Sequence, residues 1–200
     1  LPDGNNLGIK ISYQEQSQPR GLPDAFVIGE KFIGKENVAM ILGDNFFYGQ
    51  NLSKLLLSST KLKNGAKVIL HKVVKPELFG VAKVNNRNKI IKIQEKPKKY
   101  ISDLAITGLY FFDNSVVKFA KELKPSKRGE LEIVDLINKY KKRNKLSADL
   151  IGRGGAWLDT GSIEDFYKTS AFVSAIENRQ GFKIACLEEI ALNNKWINKK

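Results

Sequence analysis

The sequence has 200 residues, 42% of them hydrophobic, and a formal net charge of +13 at pH 7. A chain of this length and apolar content can bury a sizeable core, which excludes an intrinsically disordered protein. A single Cys and a single His exclude an internal disulfide and a structural zinc site. We therefore expect one globular domain over residues 1–200, in a reducing, cytoplasmic compartment.

The positive charge does not by itself indicate a nucleic-acid-binding protein. The lysines are scattered along the chain, and no basic run is interleaved with aromatic residues that could stack on bases. No apolar run approaches the roughly 18 residues that a membrane span needs. We expect no nucleic-acid partner and no membrane segment, and an anionic small substrate is the better candidate for the positive field.

Strand-like and helix-like segments alternate along the chain, as judged by apolar periodicity. In chain order the predicted segments are a strand at 9–15, a helix at 24–33, a strand at 37–43, a helix at 52–60, a strand at 66–74, a hairpin of strands at 80–84 and 90–96, a strand at 104–113, helices at 115–123 and 130–142, a strand within 146–152, and a helix at 162–180 that opens with a capping-box pattern. This alternation predicts an α/β domain with a mostly parallel sheet.

The stretch ILGDNFFYG, residues 41–49, ends an apolar run and places Asp44 and Asn45 directly after it. In open α/β sheets ligands bind beyond the carboxyl ends of the strands, so this position indicates a functional Asp44. Asp44 could instead cap a helix, but the helix predicted at 52–60 begins too far downstream for direct capping.

A second carboxylate, Asp159 in GGAWLDTGS, stands in similar surroundings between an apolar patch and a Gly turn. Two carboxylates at loop edges suit Mg²⁺, which prefers one or two carboxylates plus water and phosphate oxygens. The alternative, that Asp159 only organises the turn before the next helix, is equally compatible with the spacing.

Two further stretches place charged side chains at the ends of predicted elements. In IQEKP, residues 93–97, Glu95 and Lys96 point to opposite faces of a strand end, so a local twist is needed to bring both to one ligand. Arg128 precedes a predicted helix start and is placed to clamp an anion there. A solvated charge pair and a charged helix cap remain the ordinary alternatives. We expect His71, within an apolar strand, to be structural.

Taken in order, several segments resemble those of glucose-1-phosphate thymidylyltransferases. The segments are QSQPRGLPDAF, LGDNFFYG, FGVAKV, EKP, TGLYFFD, KPSKRGELEIVD and GRGGAWLDTGS. The resemblance extends from about Leu7 to about Ile190. It implies a Rossmann-like nucleotide-diphospho-sugar transferase core, and a reaction in which dTTP and glucose 1-phosphate give dTDP-glucose and pyrophosphate for deoxysugar and polysaccharide pathways.

The resemblance also implies roles for individual residues. Asp44 and Asp159 would bind Mg²⁺, and Asp44, Lys96 and Arg128 would act in catalysis. The residues implied for binding glucose 1-phosphate, from phosphate to sugar, are Lys96, Arg128, Glu95, Gly80, Asn45 and Thr107. Gln16 and Gly21 would read the thymine ring, and Tyr110 and Trp157 would line or support the pocket or simply pack in the core.

Two departures from the family pattern shape the expectations. The family's opening strand, with a Gly-rich loop that bears an Arg, has no counterpart here, nor does the Lys-Pro that follows it. We therefore expect a fragment truncated at both ends, inactive and poorly soluble alone, from an active parent that forms a homotetramer as family members commonly do. Phe79 stands where relatives often carry Tyr, which removes one hydroxyl.

Three other interpretations of the sequence remain open. A related nucleotidyltransferase could use UTP or another sugar phosphate, since thymine and uracil differ by one methyl group worth only about 1–3 kcal/mol. A non-catalytic paralogue could keep the sugar-nucleotide pocket. A basic nucleic-acid-binding module is supported by net charge alone and would show strongly salt-dependent DNA binding.

Overall fold

The computed structural model describes residues 2–87 and 89–198. They form two compact units, one of residues 16–160 and one of residues 2–15 together with 161–198. The larger unit contains every strand found in the described residues and the first five helices. The expectation that residues 1–200 form a single domain stays a prediction.

The elements follow the predicted order closely. The strands are β1 Val38–Ile41, β2 Asn45–Gly49, β3 Ala66–Lys72, β4 Gly80–Val84, β5 Ile90–Glu95, β6 Leu104–Phe112, β7 Leu146–Leu150 and β8 Gly155–Asp159. The helices are α1 Asp24–Ile28, α2 Glu30–Ile33, α3 Leu52–Ser59, α4 Ser115–Lys121, α5 Ile133–Lys142, α6 Ile163–Gln180 and α7 Leu187–Asn193. The helix predicted at 24–33 is divided at Gly29, and β2, β8 and α7 lie outside the predicted segments.

The strand predicted for residues 9–15 is wrong. The Ile9 N–H donates to the Gly4 carbonyl at 3.2 Å and the Ile11 N–H to the Asp3 carbonyl at 2.7 Å, so the segment folds back on the turn before it. The Tyr13 hydroxyl also donates to the Pro2 carbonyl at 2.9 Å. Local bonds have replaced the ladder that a strand requires, despite the apolar alternation.

Within the described residues, six strands form the main sheet in the order β5–β4–β6–β3–β7, with β1 also paired to β6. β6 runs antiparallel to β1, β3 and β4, β5 runs antiparallel to β4, and β7 runs parallel to β3. Strands β1, β3, β4 and β7 therefore share one direction. The α/β class is confirmed and the sheet is mixed, because the reversed β6 lies at its centre.

The two faces of the sheet bury different cores. Helices α1, α4 and α5 pack on one face, where Phe112 of β6 meets Phe26 of α1 and Tyr140 of α5. The opposite face buries Leu109 and Phe111 against α3 and β2. Each fully buried large side chain contributes about 1.5–3 kcal/mol relative to an exposed one. Side chains that alternate along β6 therefore contribute to the hydrophobic cores on both faces of the sheet.

The smaller unit contains α6, α7 and a short helical turn at Asn5–Leu7. The predicted cap of α6 is confirmed, because the Asp165 N–H donates to Ser162 Oγ at 3.1 Å. Gly8 has a φ of +68° and lies so close to the Trp196 carbonyl that a Cβ would collide with it. In the described part of the chain, each helix is too short or too polar to cross a bilayer.

Candidate active site

The candidate site is a cleft of about 220 Å³ beside the middle of β6. β1 and β4 share one edge of β6, but β1 pairs only as far as Leu109 and β4 meets the strand at Ala105. The cleft opens in the gap between these two pairings. The predicted site residues that line it are Asn45, Gly80, Glu95, Lys96 and Asp159, together with the aromatic residues Phe79, Tyr110 and Trp157.

A tight turn at the end of β1 places Asp44 at the rim of this gap. The Leu42 N–H still donates to the Gly108 carbonyl at 2.9 Å, and the Asn45 N–H then donates back to the Leu42 carbonyl at 3.2 Å. Asp44 is the third residue of that turn and is exposed. The strand-end position predicted for Asp44 is confirmed, and the carboxylate does not cap a helix.

The two predicted metal ligands lie at the same end of the β2–β8 ribbon. Asn45 is paired with Asp159 in the ribbon register. Thr160 donates from its N–H at 2.7 Å and from its hydroxyl at 2.8 Å to the Asp44 carbonyl. These pairings bring two hard carboxylates to neighbouring strand ends. This donor set fits Mg²⁺, although its binding stays a prediction, since that ion needs only one or two protein carboxylates.

The Asn45 side chain connects the main sheet, the ribbon and Asp44. Its Oδ1 accepts from the Gly108 N–H at 2.9 Å and from Trp157 Nε1–H at 2.5 Å, and its Nδ2 donates to Asp44 Oδ1 at 2.8 Å. A Cβ on Gly108 would lie 2.6 Å from Asn45 Oδ1, so the glycine is what allows this approach. These bonds leave Asn45 one amide hydrogen for the predicted sugar contact.

Glu95 and Lys96 both line the cleft, although strand alternation alone would point them to opposite faces. Lys96 has a φ of +37°, in the region that favours glycine, and its N–H donates to the Phe79 carbonyl at 3.0 Å. Gly80 lies opposite Glu95, and a Cβ there would stand 3.1 Å from Glu95 Oε2. Because strained backbone at a non-glycine residue concentrates at functional sites, the Lys96 conformation supports the assignment of this cleft.

Burial and neighbouring charges tune the ionisable groups of the cleft. Burial raises the pKa of Glu95 and the Glu132 carboxylate raises it further, whereas Lys96 and Arg128 lower it. Burial also raises the pKa of Tyr110, with smaller contributions from Glu95 and Asp44. The cleft therefore combines carboxylates with two nearby cations and keeps the Tyr110 phenol protonated at neutral pH.

Arg128 lies on a loop, and the prediction that it flanks a helix start is wrong. α5 begins at Ile133, since residues 126–130 form a separate turn in which the Ser126 N–H donates to the Glu130 carbonyl at 2.8 Å. Arg128 is half exposed, and its Nη1 lies 3.8 Å from Glu132 Oε1. The guanidinium acts on Glu95 electrostatically without lining the cleft wall.

Thr107 is not placed where the resemblance implied. Its side chain is fully buried, and the hydroxyl donates to the Ile69 carbonyl of β3 at 3.0 Å. The β3–β6 register shifts between Val68 and Leu70, which leaves the intervening carbonyl in need of a donor. The neighbouring Gly108 lines the cleft instead.

Gln16 and Gly21 lie together in a loop whose Leu22 reaches the cleft. Gln16 Nε2 donates to Asp24 Oδ2 at 3.0 Å and to the Gly21 carbonyl at 3.3 Å. Gly21 has a φ of +103° and packs so closely on the Leu131 carbonyl that any Cβ would collide with it. The structure brings these two residues together, and their base contact stays a prediction.

Trp157 is the aromatic wall of the site, a role the sequence left open. Its ring lies 5.2 Å from Phe79, centroid to centroid, and 6.3 Å from His71. Burial lowers the pKa of His71, so the imidazole is neutral and packs as a structural ring, as predicted. Sequence reasoning missed Gly108, although a glycine inside a long apolar strand is a known signal of close backbone approach.

Comparison with known proteins shows the family of this chain. A family model described as nucleotidyl transferase matches residues 1–176. A Neisseria meningitidis protein named glucose-1-phosphate thymidylyltransferase is 50% identical over 99% of this chain, which spans 69% of that relative.

Solved structures share the fold at substantial identity. A crystal structure of a candidate glucose-1-phosphate thymidylyltransferase from Bacillus anthracis, in complex with sucrose, superposes with a TM-score of 0.79 at 36% identity, covering 94% of this chain and 72% of that one. UDP-glucose pyrophosphorylase in complex with UDP-glucose gives 0.73 at 26% identity, covering 84% and 66%. The chain therefore belongs to the nucleotidyl transferase family.

Proposed function

We propose that the protein acts as a glucose-1-phosphate thymidylyltransferase, which joins dTTP and glucose 1-phosphate into dTDP-glucose and releases pyrophosphate. The observation that carries the proposal is the 50% identity, over 99% of the chain, to a relative with that name. The cleft beside β6 supports it, because its polar groups suit a phosphorylated sugar. A cytoplasmic location and a homotetramer are part of the proposal.

The proposed reaction is an in-line displacement at the α-phosphorus of dTTP. A phosphate oxygen of glucose 1-phosphate forms a new P–O bond as the bond to the β-phosphate breaks, and pyrophosphate leaves. Catalysis of such a step depends on positioning and charge stabilisation, and no protein nucleophile is required. A cleft built from carboxylates, a lysine and aromatic walls, with a neutral His71 packed behind it, is compatible with this chemistry.

Charged side chains would position the phosphates. Lys96, fixed by its own backbone conformation at the end of β5, would hold the phosphate of glucose 1-phosphate and offset charge in the transition state. Arg128 would add positive potential from the neighbouring loop. Asp44 and Asp159 would hold Mg²⁺, which when bound would neutralise phosphate oxygens.

The sugar and the base would be recognised by separate parts of the larger unit. Glu95, with its carboxylate above Gly80, would accept hydrogen bonds from sugar hydroxyls. Trp157 would pack against the apolar face of the ring, because it lines the cleft and is anchored by Asn45. Gln16 and Gly21 would contact the thymine ring from their loop.

One alternative within the family has a specific observation in its favour. UDP-glucose pyrophosphorylase shares the fold at a TM-score of 0.73, so a uridine nucleotide is the competing substrate. The two bases differ by one methyl, worth about 1–3 kcal/mol, so dTTP should exceed dUTP, which has the same sugar, in kcat/KM by about tenfold or more.

A nucleotide panel tests the proposal. The full-length protein carrying these residues is assayed for pyrophosphate release with dTTP or UTP and with glucose 1-phosphate or galactose 1-phosphate. We expect the highest kcat/KM with dTTP and glucose 1-phosphate. A preference for UTP would replace thymidylyl by uridylyl transfer. Binding of dTDP-glucose without turnover of any pair would support the non-catalytic paralogue instead.

A further inference from the structure

Asp24 is a buried carboxylate to which the proposed reaction gives no role. It is 3% exposed, opens α1, and lies in the larger unit beside the loop of Gln16 and Gly21. A buried carboxylate needs donors to offset its lost hydration. Its donors come from the loop itself, which ties this acid to the residues proposed to contact the nucleobase.

The Asp24 carboxylate binds two side chains of the loop. Arg20 donates from Nε to Oδ2 at 3.1 Å and approaches Oδ1 with its second nitrogen at 3.0 Å, a two-pronged pair. Gln16 Nε2 donates to the same carboxylate at 3.0 Å. The Asp24 carboxylate therefore accepts hydrogen bonds from both the Arg20 guanidinium and the Gln16 amide.

These contacts fix which way the Gln16 amide faces. Its nitrogen carries two hydrogens, and the Asp24 carboxylate and the Gly21 carbonyl, both acceptors only, take both of them. Turning the amide over would set its oxygen against two acceptors, so the orientation is determined by the network. Oε1 has no donor among the described residues. Gln16 thus offers a ligand an acceptor and no donor.

We propose that Asp24 is a specificity-determining residue, which locks Gln16 so that the nucleobase meets only a hydrogen-bond acceptor. The inference rests on the proposed function, in which Gln16 contacts the base. Thymine and uracil carry an N–H at ring position N3 and can donate to Oε1. Cytosine has an unprotonated nitrogen at that position, so two lone pairs would face each other. The lock therefore selects nucleoside triphosphates with an imide base.

The test is the ratio of kcat/KM for dTTP to kcat/KM for dCTP in the full-length protein. Asp24→Asn offers Gln16 a donor as well as an acceptor, so only the longer 3.3 Å contact with the Gly21 carbonyl still opposes a turned amide, which would present its N–H to cytosine. We expect the ratio to fall about tenfold, the effect of about one hydrogen bond. Asp103→Asn, which alters a carboxylate paired with Lys72 away from the loop, should leave the ratio unchanged.

Other outcomes separate the possible failures. If Asp24→Asn lowers kcat/KM for both nucleotides by the same factor, Asp24 is only structural and the inference is wrong. If Gln16→Met leaves the dTTP KM unchanged, the base contact itself is wrong, and if the unaltered protein transfers no nucleotide, the proposed function fails. Should Asp24→Asn not fold, dTTP methylated at N3 provides the test in the unaltered protein. The lock predicts its rejection, and binding as tight as that of dTTP would overturn it.

Discussion

The carboxyl end of β6 and its middle are stabilised in different ways. At its carboxyl end, the buried Asp113 carboxylate accepts from the Gly65 N–H at 2.6 Å, the Ser115 N–H at 3.0 Å and the Tyr140 hydroxyl at 2.9 Å. Burial, reinforced by Asp113, raises the pKa of Tyr140, so this phenol remains a donor. Each polar group has a fixed partner, and the end is closed.

Beside the cleft, the middle of β6 and the end of β5 instead show three unusual features. A side-chain amide, Asn45, accepts the Gly108 N–H where a neighbouring strand would. Lys96 adopts a positive φ, and burial holds the pKa of Glu95 above its ordinary value. The carboxyl end of β6 therefore has a fixed partner for each polar group, whereas the cleft beside its middle keeps desolvated and strained groups from the end of β5, which a phosphorylated ligand can use.

The largest expected effect is on stability at the closed end. Asp113→Ala leaves two N–H groups and a hydroxyl without their buried acceptor, so the free energy of unfolding should fall by about 3 kcal/mol. Urea denaturation of the full-length protein measures it. Asp149→Ala, which removes a partly exposed partner of Lys67, is the matched control and should cost less than about 1 kcal/mol. Equal losses would show that the buried Asp113 contacts do not stabilise the carboxyl end of β6.

Gly108→Ala tests the contact between the main sheet and the ribbon. The new Cβ would lie 2.6 Å from Asn45 Oδ1, so Asn45 must move and the Trp157 and Asp44 bonds are lost with it. We expect a stability loss of about 2 kcal/mol and a fall in kcat of at least about tenfold. Gly152→Ala, where a Cβ meets nothing within 4 Å, is the control. Unchanged kcat in Gly108→Ala would show that Asn45 does not position the site.

Lys96 allows strain and function to be separated. Glycine tolerates the positive φ at position 96, so Lys96→Gly should raise the free energy of unfolding by up to about 1 kcal/mol. Loss of the ammonium group should lower kcat/KM by about 100-fold. Lys96→Ala loses the same charge without relieving the backbone. Thermal unfolding and steady-state kinetics on both variants measure the two effects. If glycine is no more stable than alanine at this position, the strain is absent.

The smallest expected effect is the pH dependence of Glu95. Its pKa is higher in the folded than in the unfolded chain, so the folded state loses relative stability as pH rises through those values. Glu95→Gln should therefore be more stable than the unaltered protein at pH 7, by less than about 1 kcal/mol because solvent screens a partly exposed group. Below about pH 4 the two should be equal. If Glu95→Gln is less stable than the unaltered protein at pH 7, burial of the Glu95 carboxylate does not destabilise the folded state.

Much of this arrangement was accessible from the sequence. Apolar runs and periodicity predict β1, β3, β6 and α4–α6, because burial and local backbone preference agree there. Asp44 after an apolar run and Glu95–Lys96 before a proline identify strand ends that reach the cleft. The position of Asp159 opposite Asn45 could be inferred only from family resemblance, since the pairing joins residues over 100 positions apart.

The failures of sequence reasoning have identifiable physical causes. Thr107 turns to a carbonyl left over by a register shift, and no local pattern encodes such a shift. Arg128 lies on a loop because Gly129, with a φ of +81°, and the Ser126 turn delay the start of α5. The segment 9–15 has the alternation of a strand but bonds to its own preceding turn. Only the Thr107 contact is long-range, and the other two departures come from local turns that apolar periodicity does not reveal.

We propose that Asp44 and Asp159 together hold a divalent cation beside the cleft. The most direct test is Mn²⁺ binding, followed by electron paramagnetic resonance, in the full-length protein and in Asp44→Asn, Asp159→Asn and the control Asp149→Asn. Each of the first two should weaken binding and lower pyrophosphate release by about 100-fold or more, whereas the control should match the unaltered protein. Unchanged Mn²⁺ affinity in either cleft variant would contradict the account.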